Sequence, residues 1–122
     1  MIGYVTLGTN NLKRAAAFYD ALLGEIGAKR MMEGDAFVAW SVTPDLPGLG
    51  VTTPFDKKTA TVGNGVMVAL VVDTAEKVNV LHKKALELGA KDEGAPGQRS
   101  PGFYAGYFRD LDGNKLNFFA GV

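Results

Sequence analysis

Cysteine is absent from the chain, which excludes disulfides, thiolate metal sites and a cysteine nucleophile. Histidine occurs once, as His82, so no site can be built from clustered imidazoles. An excess of charge of either sign is also missing, because thirteen basic residues balance thirteen acidic ones. The densest basic pairs, Lys57-Lys58 and Lys83-Lys84, are too short to form the basic stripe that binds nucleic acid or an anionic membrane. No long apolar run occurs either. Val66 to Val72 is the longest, well under the roughly 20 residues a spanning helix needs, and it reads as a buried strand. The first residues lack the basic lead and apolar run of a secretory signal. These absences point to a cytoplasmic protein with neither nucleic acid nor membrane as partner.

What is present suits a globular protein. With 122 residues, 47% of them apolar and 21% charged, the chain is long enough to bury a core and too apolar to stay disordered. A single domain over residues 1–122 is expected.

Residues 2–8 favour a strand, centred on Val5, Thr6 and Leu7. Asn10 or Asn11 then offers a helix N-cap. Leu12, Ala15, Tyr19 and Leu22 recur at helical spacing, which predicts an amphipathic helix stopped by Gly24. A hairpin follows, with strands Ile26–Met32 and Phe37–Val42 around a Glu33-Gly34-Asp35 turn. Leu49–Thr53 makes a fourth strand. Residues 56–65 read as a linker between a first module, about 1–55, and a second, about 66–122.

The second module repeats the order. Val66–Val72 is a strand, and Asp73 or Thr74 is a cap. Val78, Leu81, Ala85 and Leu88 form a helical stripe ended by Gly89. Ala90–Glu93 opens a short strand. Residues 94–102, rich in Gly and Pro, are expected to form a loop. Phe103–Arg109 and Lys115–Ala120 are strands joined through Asp112-Gly113, a hairpin dipeptide. Leu7 precedes Leu70 at the equivalent point of the second half. Gly27-Ala28-Lys29 recurs as Gly89-Ala90-Lys91, with one residue deleted near the second helix. The pattern is an internal duplication of a βαβββ unit, an α+β arrangement with mostly antiparallel strands.

The opening Ile2-Gly3-Tyr4-Val5-Thr6-Leu7, then Asn11-Leu12 and Phe18-Tyr19 with Leu22-Leu23-Gly24, resembles the first strand and helix of the vicinal-oxygen-chelate superfamily. That group holds the glyoxalases, bleomycin-resistance proteins and extradiol dioxygenases. The ending Phe108-Arg109-Asp110-Leu111-Asp112-Gly113-Asn114-Lys115-Leu116 resembles its last hairpin, with Leu111 where Pro is usual. Together the two pieces cover nearly the whole chain. The resemblance implies two tandem βαβββ modules forming a cupped half-barrel, with the ligand in the cup. It also implies homodimerisation. In the family's enzymes His and Glu side chains hold a divalent metal in the cup, which acts as a Lewis acid on the substrate oxygens.

By the same resemblance, the metal-ligand positions here carry Tyr4, Met67 and Asn117, and a fourth falls at or beside Thr52. A phenol, a thioether and a neutral amide are poor ligands for such an ion at neutral pH. No cofactor is therefore expected, and a divalent metal is the less favoured alternative. The leading expectation is a small organic ligand bound without metal. The rival is a lyase, isomerase or dioxygenase with an unconventional site, in which Tyr4 or Tyr107 acts as acid–base group. A third reading is a partner-binding module whose cup its own side chains fill.

Strand alternation and the family's pairing assign the lining of such a site. Tyr4, Trp40, Met67, Tyr107 and Phe119 would pack a ligand, and Thr6 and Asn117 would orient it. Arg99, in the Gly/Pro-rich loop, either clamps an anion or is an exposed side chain on a mobile loop. Arg109 either reaches the ligand or forms a structural ion pair. His82 reads as a solvated helix residue without a Ser or Cys partner. Asp110, Asp112 and Asn114 lack the Gly and Glu spacing of an EF-hand and read as turn residues. Neither Gly48-Leu49-Gly50 nor Gly63-Asn64-Gly65 continues into a phosphate loop.

Overall fold

The computed structural model describes residues 1–122, which separate into two compact units, Met1–Val62 and Gly63–Val122. The first contains β1 (Tyr4–Gly8), α1 (Leu12–Gly24), β2 (Lys29–Glu33), β3 (Phe37–Ser41) and β4 (Gly48–Thr52). The second contains β5 (Val68–Val71), α2 (Ala75–Glu87), β6 (Lys91–Ser100), β7 (Phe103–Arg109) and β8 (Lys115–Ala120). The sheet orders, β1-β4-β3-β2 and β5-β8-β7-β6, repeat one topology. In each sheet the first strand runs parallel to the last, and the other two pairings are antiparallel.

The helices start at side-chain caps. Asn11 Oδ1 accepts from the Arg14 amide at 3.0 Å, and Thr74 Oγ1 accepts from the Lys77 amide at 3.1 Å. They end in the same way too. Gly27 (φ 79°) donates to the Gly24 carbonyl while Ala28 donates to Leu23; Gly89 (φ 104°) donates to Leu86 while Ala90 donates to Ala85. Each pair of bonds is a Schellman motif, which needs a left-handed residue at its turn and so selects glycine. The repeated Gly-Ala-Lys tripeptide is therefore a helix stop followed by the first residue of a strand. Gly24, expected as the first helix's stop, is the last residue of α1, and the left-handed turn that closes the motif follows three residues later at Gly27.

Each helix buries its stripe on one face of its own sheet. α1 packs Ala15, Ala16, Phe18, Tyr19, Leu22 and Leu23 into a core shared with Leu7, Val38, Trp40, Leu49 and Val51. α2 packs Val78, Leu81, His82 and Ala85 against β6, β7 and β8. Phe108 and Phe118 stack there, with ring centroids 5.7 Å apart.

Three expectations are corrected. Trp40 does not share a face with Tyr4: its ring lies 5.7 Å from Tyr19 of α1, and its Nε1 donates to Asp20 at 2.8 Å. Alternation along β3 sends Val38 and Trp40 to the helix and leaves Phe37 and Ala39 on the other face. Residues 94–102 are not a loop, since Lys91–Ser100 pairs with β7 through three irregularities of register. An edge strand tolerates Pro96 and the bulges at Gly94 and Gly97 because its outer side needs no ladder partner. His82 is not solvated. It is only 4% exposed, and its ring packs on Gly106.

Candidate functional site

The strand faces that carry no helix hold most of the residues singled out from the sequence. In the first unit these include Tyr4 and Thr6, both exposed, on the edge strand β1. Tyr4 lies 6.2 Å from the Phe37 ring, and Gly48 and Gly50 leave room beneath Met31 and Phe37. Thr52 ends β4 and donates to the Ala36 carbonyl at 3.1 Å. It also lines an open cavity of about 960 Å³ with Thr9, Asn10, Phe55, Lys57 and Lys58. The sequence pattern offered no sign of this cavity, because residues 54–65 lack periodicity. Two hydrogen bonds between the Asn10 side chain and Ala60 pin that segment to the start of α1.

The second unit holds the denser cluster. Register places Phe119, Asn117 and Lys115 of β8 opposite Ala105, Tyr107 and Arg109 of β7, and Asn117 also opposite Ala69 of β5. Asn117 is fully buried, yet neither its Oδ1 nor its Nδ2 has a hydrogen-bond partner. Such a group costs about 1–3 kcal/mol if left unpaired. Tyr107, beside it, meets two cations: the Arg99 guanidinium lies 5.3 Å and the Lys115 ammonium 5.5 Å from its ring centroid. Phe119 and Phe103 form a ring pair at 5.5 Å on the same face. Met67, just before β5, is partly exposed.

Local structure explains these positions. Arg99 belongs to β6, not to a mobile loop, and its Nη2 donates to the Ala95 carbonyl at 2.7 Å. The guanidinium lies over Gly94 and Gly97, where an added Cβ would come within 3.3 and 3.0 Å of its nitrogens. Arg109 forms an ion pair, donating from Nε to Glu93 Oε1 at 2.8 Å and from Nη1 to the Gly113 carbonyl. That hydrogen bond holds the Glu93 carboxyl below the usual range for a glutamate. Behind Tyr107, His82 Nε2 faces two acceptors, the Tyr107 carbonyl at 3.0 Å and Asp92 Oδ1 at 3.2 Å. The proton must therefore sit on Nε2. Asp110 accepts from the amides of Asp112 and Asn114 and from Asn114 Nδ2, which shapes the hairpin that delivers Lys115.

The donor chemistry of this face does not suit a divalent ion. Asn117 offers one neutral oxygen, Met67 a thioether and Lys115 a cation. Nowhere in the structure do three His, Asp or Glu side chains come together as a metal-binding group. No helix is long and apolar enough to cross a membrane.

Residues 1–118 match the family model described as the Glyoxalase/Bleomycin resistance protein/Dioxygenase superfamily, and the chain belongs to this superfamily. Solved structures agree. A glyoxalase/bleomycin resistance protein from Albidiferax ferrireducens T118 is 31% identical, with 98% of each chain covered and a TM-score of 0.90. A glyoxalase/bleomycin resistance protein/dioxygenase family enzyme from Burkholderia phytofirmans PsJN (19% identical, 98% of each chain covered, TM-score 0.79) shares the fold. So does a lactoylglutathione lyase from Agrobacterium tumefaciens, at 19% identity and a TM-score of 0.74, with 99% of this chain and 93% of that one covered. No curated protein sequence matches the chain.

Proposed function

We propose that this protein binds a small organic molecule without the divalent metal used by enzymes of its superfamily. The observation that carries this reading is Asn117, a buried amide with both polar atoms unpaired on a face rich in aromatic side chains. A buried polar group is normally satisfied, and a ligand that hydrogen-bonds to it removes the cost. Tyr107, Phe119 and Phe103 supply apolar surface beside it. Within the second unit, the thioether of Met67 and the neutral amide of Asn117 are poor donors for a divalent ion, which supports binding without a Lewis acid. Homodimerisation and a cytoplasmic location belong to the same proposal, by analogy with the family.

Two measurements test it. Elemental analysis of the purified protein should find far less than one equivalent of divalent metal per chain. Thermal-shift screening against small aromatic compounds should find ligands that raise the melting temperature, since binding to the native state alone stabilises it. One tightly held metal ion per chain, lost on Asn117→Ala, would favour the enzymatic alternative. A broad panel with no stabilising compound would remove the binding function.

A further inference from the structure

Four cationic side chains stand together on the helix-free side of β6, β7 and β8, against one carboxylate. Arg109 is neutralised by Glu93, and Lys91 sits opposite Arg109 in register. Arg99 and Lys115 form no direct salt bridge and each rests on the Tyr107 ring, Glu93 reaching Lys115 only through a longer-range attraction. A chain of zero formal charge thus concentrates positive charge on one face. The unpaired amide of Asn117 follows Lys115 by one alternation of β8 and pairs across the sheet with Tyr107, the ring on which both cations rest.

We infer that this face is a carboxylate-binding subsite, and that the ligand is a small organic acid with an apolar or aromatic body. The inference rests on the binding function proposed above and gives it a substrate class. Lys115 and Arg99 supply charge from either side of Tyr107. The Asn117 Nδ2 donates a hydrogen bond, and its Oδ1 accepts one from a hydroxyl or acid proton of the ligand. The apolar body lies along Phe119, Ala105 and Ala69, which share the face. A monoanion fits better than a phosphate ester. Arg99 already spends one of its nitrogens on the Ala95 carbonyl, and the amide-rich start of α2 lies on the other side of the sheet. Gly94 and Gly97 provide the room that lets Arg99 lie flat beside the ring.

The test uses benzoate, its neutral analogue benzyl alcohol, and inorganic phosphate as probes, with heteronuclear NMR on the full chain. Benzoate should shift the Asn117 side-chain amide and Tyr107 resonances, and added salt should weaken its binding. Lys115→Met and Arg99→Met should each weaken it at least about tenfold, the loss expected for one charge-assisted contact. Unchanged backbone spectra establish that both variants fold. The inference is overturned if benzyl alcohol binds as tightly as benzoate and neither substitution matters; the broader binding function then survives. It is also overturned if phosphate alone shifts these resonances. If none of the three probes shifts either residue while other neutral compounds stabilise the protein, the carboxylate subsite falls by itself.

Discussion

Asn117 is where stability and function conflict most directly. Its amide lies among packed side chains with no partner, so an apolar residue of similar size should suit the free protein better. Asn117→Leu is expected to raise stability by roughly 1–2 kcal/mol, measured by urea denaturation, and to abolish ligand-induced thermal shifts. His82 behaves in the opposite way. Its ring joins α2 to the Tyr107 backbone and to Asp92, so His82→Leu removes a donor shared by two acceptors. A loss of about 1–3 kcal/mol is expected. Gly106→Ala should also destabilise, because its methyl group would meet Pro96 at 3.0 Å and the His82 ring at 3.1 Å. Neither the burial of His82 nor the isolation of Asn117 is visible in the chain as a string. Both depend on which residues of distant strands close over them. Arg109 is similar: the sequence left it between ligand contact and ion pair, and the nearby Glu93 resolved the choice.

Among the elements, the two Schellman stops make the duplication physical. Gly27 and Gly89 occupy the same turn at the end of α1 and α2. Placing a Cβ at a left-handed position costs about 1–2 kcal/mol, so Gly27→Ala and Gly89→Ala should each lower the melting temperature by a few degrees. Gly24→Ala, at the last residue of α1, should not, since Gly24 has no positive φ. A second prediction concerns Asp20, which joins α1 to β2 through Arg30 at 2.7 Å and to β3 through Trp40 at 2.8 Å. The Arg30 hydrogen bonds, aided by Trp40, hold the Asp20 carboxyl below the ordinary aspartate value against the opposing effect of burial. A lowered folded-state pKa stabilises the protein above the unfolded pKa of about 4. That stability is lost as the pH falls from there through the folded value. Asp20→Asn should therefore lower stability at neutral pH and flatten its acid dependence, as followed by thermal melts between about pH 2 and 7. The part-exposed geometry keeps the effect modest.

For the whole molecule, superfamily membership supports a small-ligand protein, and the donor chemistry supports one that binds without metal. Sedimentation equilibrium should return twice the mass of one chain if the family's pairing holds here; a single-chain mass at high concentration would remove that part of the proposal. The order of elements, both N-caps to within one residue, the helix stripes and the repeated unit could be read from the chain because they are local: short-range periodicity and turn chemistry encode them. The strand Lys91–Ser100 could not, because its Gly and Pro content is tolerated only where β7 supplies one ladder and solvent the other. Trp40 could be assigned to a strand but not to a face, since the position of α1 chooses which side of β3 is buried. The sequence alone thus determined the superfamily. Only tertiary structure set Arg99 and Lys115 on the Tyr107 ring and left the Asn117 amide without a partner, because side-chain contacts across paired strands join residues far apart along the chain.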